Sequence, residues 1–140
     1  MNKELKCKTV MPIFFIFIVG ITVFSCSRDR APIARICNQK LPDTVSFSKH
    51  IIPIFQTNCS ISSGCHSGTT PTGKIDLDAS VAYSQLMQNG KGYVDTLNPN
   101  FSVLYAQMTS SSKPMPHTGI LDACTTQMVL KWIQQKAKNN

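Results

Sequence analysis

Residues 59–66 read Cys59-Ser-Ile-Ser-Ser-Gly-Cys65-His66, and the interpretation of the whole chain depends on this stretch. Two thiols followed directly by an imidazole are typical of covalent haem attachment, in which both cysteines form thioether bonds and the histidine is the proximal iron ligand. The common motif has two residues between the cysteines, whereas this chain has five. Because four of the five are serine or glycine, we expect them to bulge outwards and let both sulfur atoms reach one porphyrin edge.

A second candidate ligand lies in the run Pro114-Met115-Pro116. The two prolines restrict the backbone around Met115 to extended conformations, which suit a sulfur atom held toward the iron from the face opposite His66. His117 follows two residues later and is the alternative distal ligand. Methionine in a helical stripe is more often a core residue, and we assign three others to packing: Met87, Met108 and Met128.

Two other interpretations of residues 59–66 stay open. In an oxidising compartment, Cys59 and Cys65 can form a small structural disulfide. Alternatively, a zinc ion can take four ligands from Cys59, Cys65, His66 and His117, although adjacent residues are poorly placed to bind one tetrahedral ion. We prefer haem attachment because His66 directly follows Cys65.

Residues 1–25 predict a signal peptide of the lipoprotein type. Three lysines precede an almost unbroken apolar stretch, residues 10–24, that is too short to cross a membrane comfortably. The stretch runs into Val23-Phe24-Ser25-Cys26, which is similar to a bacterial lipoprotein processing site and makes Cys26 the expected lipidated residue. Plain secretion and an uncleaved anchor are the alternatives. We expect an exported protein, in the periplasm or, as a lipoprotein, at the outer membrane or cell surface.

After removal of the signal peptide, residues 26–36 form a lipidated tether and residues 37–140 form one small domain. A domain of this size gains much from a covalent cross-link or a large buried cofactor. The full chain has a net charge of +7, and losing three lysines and one glutamate with the signal peptide leaves +5. Because the basic residues are scattered and no nucleic-acid motif is present, we interpret them as a solvated surface.

The six cysteines suggest one disulfide. One cysteine leaves with the signal peptide, one carries the lipid, and two belong to residues 59–66. Cys37 and Cys124 remain, one near each end of the domain. In an oxidising compartment we expect these two to pair; separate buried thiols are the alternative.

Short helical patterns between long loops predict an all-α fold, and no stretch shows a persuasive strand pattern. The first helix is expected to begin at about His50 or Ile51, because Pro53 is tolerated only in the first helical turn. The last helix has Asp122 as a good N-cap and lysines toward its C-terminal end. Its apolar stripe, which includes Trp132 as a packing residue, consists of Met128, Val129, Trp132, Ile133 and Ala137.

Two shorter helices are expected between these. One covers residues 80–87, with Asp78 or Ser80 as its N-cap. The other follows Asn100 as a cap and continues through residues 101–108. Loops rich in serine, threonine, glycine and proline separate them.

The order of these segments resembles that of the small cytochrome c domains of exported proteins of the Bacteroidetes and Planctomycete type. The resemblance implies a cytochrome c-like fold, with short helices and long loops around one covalently bound haem c. It implies thioether bonds from Cys59 and Cys65, axial ligation by His66 and Met115, and an additional disulfide. The matching stretches span nearly all of residues 37–140: 47–55, 59–66, 83–86, 99–105, 115–116 and 132–140.

The function implied is one-electron transfer by a membrane-tethered monohaem cytochrome, not catalysis on a substrate. Two filled axial positions and the lack of a distal acid–base pair argue against a haem enzyme or gas sensor. The expected partners are a redox protein, which the sequence does not name, and a membrane through the lipid anchor; we expect a monomer. The alternative is a haem-free exported lipoprotein of the same fold, with a second disulfide between Cys59 and Cys65 and a structural or interaction role.

Overall fold

Short helices form the regular framework of the residues that the structure describes. The structure is a computed structural model and describes residues 36–62 and 64–140. Its α-helices are α1 (Ile52–Asn58), α2 (Ala82–Leu86), α3 (Val103–Thr109) and α4 (Ala123–Gln134). A π-helical turn, Phe47–Ile51, precedes α1, and 3-10 turns occupy Thr72–Lys74 and Pro99–Phe101. These ranges contain no strand, which confirms the all-α class.

Residues 1–35 and Ser63 are not among the described residues. The predicted signal peptide, the lipidation site at Cys26 and all of the tether except Ile36 therefore lie outside them. Among the described helices, none has the length and apolar character needed to span a membrane.

Helical structure begins earlier than the sequence predicted. Ser46 is the N-cap, and its hydroxyl accepts a hydrogen bond from the N–H of Lys49 at 3.3 Å. A π turn starts at Phe47, and the α-helical register begins only at Ile52. Since Pro53 has no N–H, the hydrogen-bond ladder is interrupted there in any register, and the wider π turn lies just before that gap. The proline occupies the first turn of α1, as expected.

The predicted N-cap of α2 is wrong. The helix begins at Ala82 after Val81, which makes no side-chain capping bond. Asp78 contributes its main-chain carbonyl, which accepts from the N–H groups of Val81 and Ala82 at 2.9 and 2.8 Å. Its carboxylate instead accepts from the N–H of Gly68 at 3.4 Å, because the loop after His66 folds back against it.

The predicted start of α3 is also wrong. Pro99, whose fixed φ suits a tight turn, opens the 3-10 turn that contains Asn100 and Phe101. Phe101 is 81% exposed and does not join the apolar face. Ser102 flanks α3, is fully buried, and accepts a hydrogen bond from the N–H of Asp95 at 2.9 Å.

The start of α4 agrees with the sequence. The Asp122 carboxylate caps the helix by accepting from the N–H groups of Cys124 and Thr125 at 2.8 and 3.0 Å. The helix ends at Gln134, before the positive-φ pair Lys136 and Ala137. Of the predicted helix-end lysines (Lys131, Lys136 and Lys138), only Lys131 therefore lies in the last turn, and Ala137 is buried from outside the helix.

An aromatic cluster forms the centre of the core. The ring of Phe47 lies 5.1 Å from that of Trp132, 5.2 Å from that of Tyr83 and 6.4 Å from that of Phe55, measured between centroids. Trp132 is fully buried, and its indole N–H donates to the carbonyl of Lys138 at 2.9 Å. The assignment of Trp132 to packing is confirmed, because the core holds both its ring and its polar atom.

Residues 135–140, the C-terminal segment, join the end of α4 to the beginning of the first helix. The Gln135 side chain accepts from the N–H of Val45 at 2.8 Å and donates to the carbonyl of Asp43 at 2.6 Å. The main-chain oxygen of Asn140 accepts from the Ser46 hydroxyl at 2.7 Å and from the N–H of Ser48 at 2.9 Å. The unpaired N–H groups of a helix start are thus partly satisfied by the chain end.

The predicted disulfide between Cys37 and Cys124 is present and confirmed. It joins residues 87 positions apart and ties the beginning of the domain to the first turn of α4. The other cysteines in the described ranges, Cys59 and Cys65, are free.

Candidate functional site

A largely apolar cavity of about 380 Å³ lies between the loop after α1 and the segment after α3. The candidate attachment residues Cys59, Cys65 and His66 line it, and so do the candidate distal ligands Met115 and His117. The 3-10 turn Thr72–Lys74 and helix α3 supply further wall residues. The lining consists of Asn58, Cys59, Ile61, Gly64, Cys65, His66, Thr72, Gly73, Ile75, Leu77, Tyr93, Val103, Leu104, Gln107, Met108, Met115, Pro116, His117 and Thr118.

The loop between the two cysteines returns to its starting point. Cys59 is the C-cap of α1, and its carbonyl accepts from the N–H of His66 at 3.0 Å. Within the loop, the N–H of Cys65 donates to the carbonyl of Ser62 at 2.9 Å. These bonds bring Cys59 and Cys65 to the same cavity in spite of the five intervening residues, three of which (Ile61, Ser62 and Gly64) are exposed.

Burial strongly affects the Cys59 thiol. Its pKa is raised from 9.0 to about 11, first by loss of solvation and second by the neighbouring Cys65. The thiol therefore stays protonated near neutral pH and is a poor spontaneous nucleophile.

The imidazole of His66 reaches the same cavity with an unsatisfied nitrogen. Its backbone is fixed by a hydrogen bond from the N–H of Leu77 to the His66 carbonyl at 2.8 Å. Nδ1 is buried and has no hydrogen-bond partner among the described residues. A buried nitrogen without a partner costs free energy, which a ligand to the ring can offset. This observation fits a haem iron in an otherwise apolar site.

Both candidate distal ligands line the cavity. Met115 is half-buried, and its N–H donates to the carbonyl of Gln107 in α3 at 3.0 Å. His117 is exposed and lies at the same wall. The structure therefore brings Met115 and His117 to the cavity that contains His66, with Met115 the more buried of the two.

The assignments of the other methionines differ in their outcome. Met108 is buried in the core, as predicted, but it also forms part of the cavity wall. Met128 packs against the core. The assignment of Met87 to the core is wrong, because this residue follows the end of α2 and is 38% exposed.

Sequence reasoning missed the wall residues contributed by the loop after His66. Thr72 and Gly73 lie in a run of small and polar residues without periodicity, which predicts only a turn. A glycine two positions after Pro71 indicates a left-handed backbone position, but no sequence pattern indicates what that position contacts. Their role at the site is visible only once the loop is folded.

The zinc interpretation receives no support from the geometry. Across residues 36–62 and 64–140, no three His, Cys, Asp or Glu side chains form a group that can hold a metal ion. The adjacent positions of Cys65 and His66 make such a group difficult to form, as the sequence indicated.

Comparisons with known proteins found no similar protein. No protein-family model matches this chain, and searches of curated proteins and of solved structures found no match.

Proposed function

We propose that this protein is an exported, membrane-tethered c-type cytochrome that carries single electrons on one covalently bound haem. The observation that supports this most is the meeting at one apolar cavity of two free thiols, an imidazole whose buried Nδ1 has no partner, and a methionine. Cys59 and Cys65 form the thioether bonds, His66 is the proximal ligand and Met115 is the distal ligand. A cytochrome c-like arrangement of short helices around the cofactor is part of this proposal.

When bound, the haem supplies an iron centre that is reversibly reduced by one electron. The chain's own residues hold and shield it. The apolar walls from Leu77, Leu104 and Met108 exclude water, and histidine with methionine ligation favours the reduced iron and raises its potential. With His66 and Met115 both holding the iron, no position would be open for a substrate, so the proposed role is that of an electron carrier and not of an enzyme.

Export and tethering belong to the same proposal. The disulfide between Cys37 and Cys124 supports it, because such bonds form and persist in oxidising compartments. The signal peptide and the lipid on Cys26 would place the protein in the periplasm, at the outer membrane or at the cell surface. Its partners would be the membrane and a redox protein, and we propose a monomer.

The first test combines intact mass with a pyridine haemochrome spectrum, on the full chain expressed in a host that matures c-type cytochromes. Covalent haem adds about 0.6 kDa and gives a spectrum of two thioether bonds. The matched control is Cys59→Ala with Cys65→Ala, which should lack both signals. A wild-type chain of haem-free mass would overturn the proposal.

The distal ligand is tested by Met115→Ala and His117→Ala. If Met115 binds the iron, only its loss should remove the sulfur-to-iron charge-transfer band and lower the reduction potential, with haem still attached. A wild-type spectrum without this band, together with a potential that changes in His117→Ala but not in Met115→Ala, would assign the distal position to His117.

The alternative is a haem-free lipoprotein with a structural or interaction role, and the unusual five-residue gap favours it. It requires a second disulfide between Cys59 and Cys65, which are free thiols in the structure. The same mass measurement separates the two, because a second disulfide lowers the haem-free mass by two hydrogens.

A further inference from the structure

We propose that the 3-10 turn Thr72–Lys74 positions the imidazole of His66, with Thr72 fixing the backbone and Gly73 supporting the ring. This inference rests on the proposed function, since the ring orientation matters there for an iron ligand. Residues 72–74, which the sequence predicted only as part of a turn, would thus set the geometry of the proximal ligand.

The backbone of the Cys65–His66 pair is held on both sides by the segment that follows it. The N–H of Thr72 donates to the carbonyl of Cys65 at 2.8 Å, and its hydroxyl donates to the carbonyl of Gly64 at 2.9 Å. The N–H of Leu77 donates to the carbonyl of His66 at 2.8 Å. Three hydrogen bonds therefore leave the peptide around His66 little freedom to rotate.

No hydrogen bond at Nδ1 orients the ring of His66, because this buried nitrogen has no partner among the described residues. Packing against the ring is therefore the remaining restraint at that edge. Gly73 lies beside the ring, because a Cβ at this position would be 3.6 Å from Cε1 of His66. The turn therefore lies next to the ring edge that carries Cε1.

Glycine is required at this place for a conformational reason. Gly73 has a φ of +67°, in the left-handed region that L-residues with a side chain rarely adopt. Lys74 follows with a φ of 59°, so two successive left-handed residues make the turn narrow. A side chain at Gly73 would strain the turn, and its Cβ would meet the imidazole at van der Waals distance, so relief of the strain would move the turn relative to the ring.

The test compares Gly73→Ala with Gly90→Ala in the haem-loaded full chain. Gly90 has a φ of +75° and nothing within 4 Å of its added Cβ, so it carries the same conformational strain away from the cavity. Both variants should lower the unfolding midpoint by a similar amount. Only Gly73→Ala should change the electron paramagnetic resonance g-values and the paramagnetically shifted haem methyl resonances, which report the orientation of the ligand ring. Identical spectra for the two variants would overturn the proposal.

Thr72 offers an independent test with a conservative rescue. Thr72→Val removes the hydroxyl that donates to Gly64 and keeps the backbone N–H, whereas Thr72→Ser keeps both. We expect Thr72→Val to shift the haem methyl pattern and Thr72→Ser to restore the wild-type pattern. Equal patterns in the two variants would show that the hydroxyl does not position His66.

A measurement on haem-free protein separates this inference from the proposed function. Nuclear Overhauser contacts between Hε1 of His66 and the α-protons of Gly73 should be present in the wild-type chain without haem. Their absence would overturn the positioning role even if haem is attached. Their presence in a chain that never acquires haem would support the contact and overturn only the cytochrome assignment.

Discussion

Two regions of the molecule differ in how completely their polar and apolar groups find partners. The packed region comprises residues 43–55 and 132–140, and the cavity region comprises residues 58–77 and 103–118. In the packed region, the Trp132 ring is fully buried and its N–H is hydrogen-bonded. In the cavity region, Nδ1 of His66 lacks a partner and Ile61 remains 55% exposed at the cavity wall. The polar and apolar groups named in the packed region are satisfied within the protein. The cavity region retains an unpartnered nitrogen and exposed apolar surface, both of which a bound group can contact.

The largest effect should come from removing the centre of the packed region. We expect Trp132→Ala to lower the free energy of unfolding by about 5 kcal/mol, because it leaves a large cavity and an unpaired Lys138 carbonyl. The loss should be similar in haem-free and haem-loaded protein, measured by chemical denaturation.

The matched variant in the cavity region is Leu104→Ala, since Leu104 lines the cavity and packs against the core. It should destabilise the haem-loaded protein more than the haem-free protein, because it removes contacts to both the core and the bound group. An equal loss in the two forms would show that the cavity wall does not contact a haem.

The next effect concerns the disulfide that closes most of the domain. Replacing Cys37 and Cys124 together by Ser should cost about 4 kcal/mol, since the bond restricts a loop of 87 residues in the unfolded chain. Reduction of the wild-type bond should give a similar shift in denaturation. Because the bond lies outside the cavity lining, haem content by mass should not change in folded protein; loss of haem would contradict the separation of the two regions.

The thiol of Cys59 in the cavity region predicts a pH dependence of stability. Because the pKa of Cys59 is raised from 9.0 to about 11 in the folded state, its contribution is fully present below pH 9 and is lost as the pH rises through about 11. Haem-free protein should therefore lose about 2 to 3 kcal/mol over this window, relative to Cys59→Ala. Denaturation curves at several pH values measure it.

The haem-loaded form provides the control for this pH dependence. A thioether sulfur does not titrate, so attachment to Cys59 should abolish the difference from pH 9 to 11. A difference that persists after attachment would show that another group causes it.

The smallest effect concerns the cap of α4. The pKa of Asp122 is lowered, first by hydrogen bonds from the side chain and N–H of Thr125 and then by the N–H of Cys124. Asp122→Ala should cost about 1 kcal/mol at neutral pH. Since the folded pKa is depressed, this difference should be lost as the pH falls through that value. Asp122→Asn, which keeps an acceptor, should cost less; equal losses would contradict a capping role.

Local sequence signals were reliable where a side chain hydrogen-bonds to main-chain groups only a few residues away. Asp122 was correctly predicted to cap α4, because its acceptor bonds to N–H groups two and three residues later. The starts of α2 and α3 were predicted wrongly. The Asp78 carboxylate accepts from the N–H of Gly68 and does not cap α2, and Asn100, the predicted cap of α3, lies inside the 3-10 turn that Pro99 opens. A polar residue near a helix start has several possible partners, and only the folded loop selects one.

The amino-acid sequence by itself determined the helical class, the cysteine pair that forms the disulfide, and the candidate ligands Cys59, Cys65, His66 and Met115. These follow from spacing, residue chemistry and the count of cysteines. Only the tertiary structure decided that the candidates share one cavity and that Gly73 lies against the His66 ring. The reason is that hydrogen bonds within irregular loops, such as that from the N–H of His66 to the carbonyl of Cys59, set these distances, and no local periodicity encodes them.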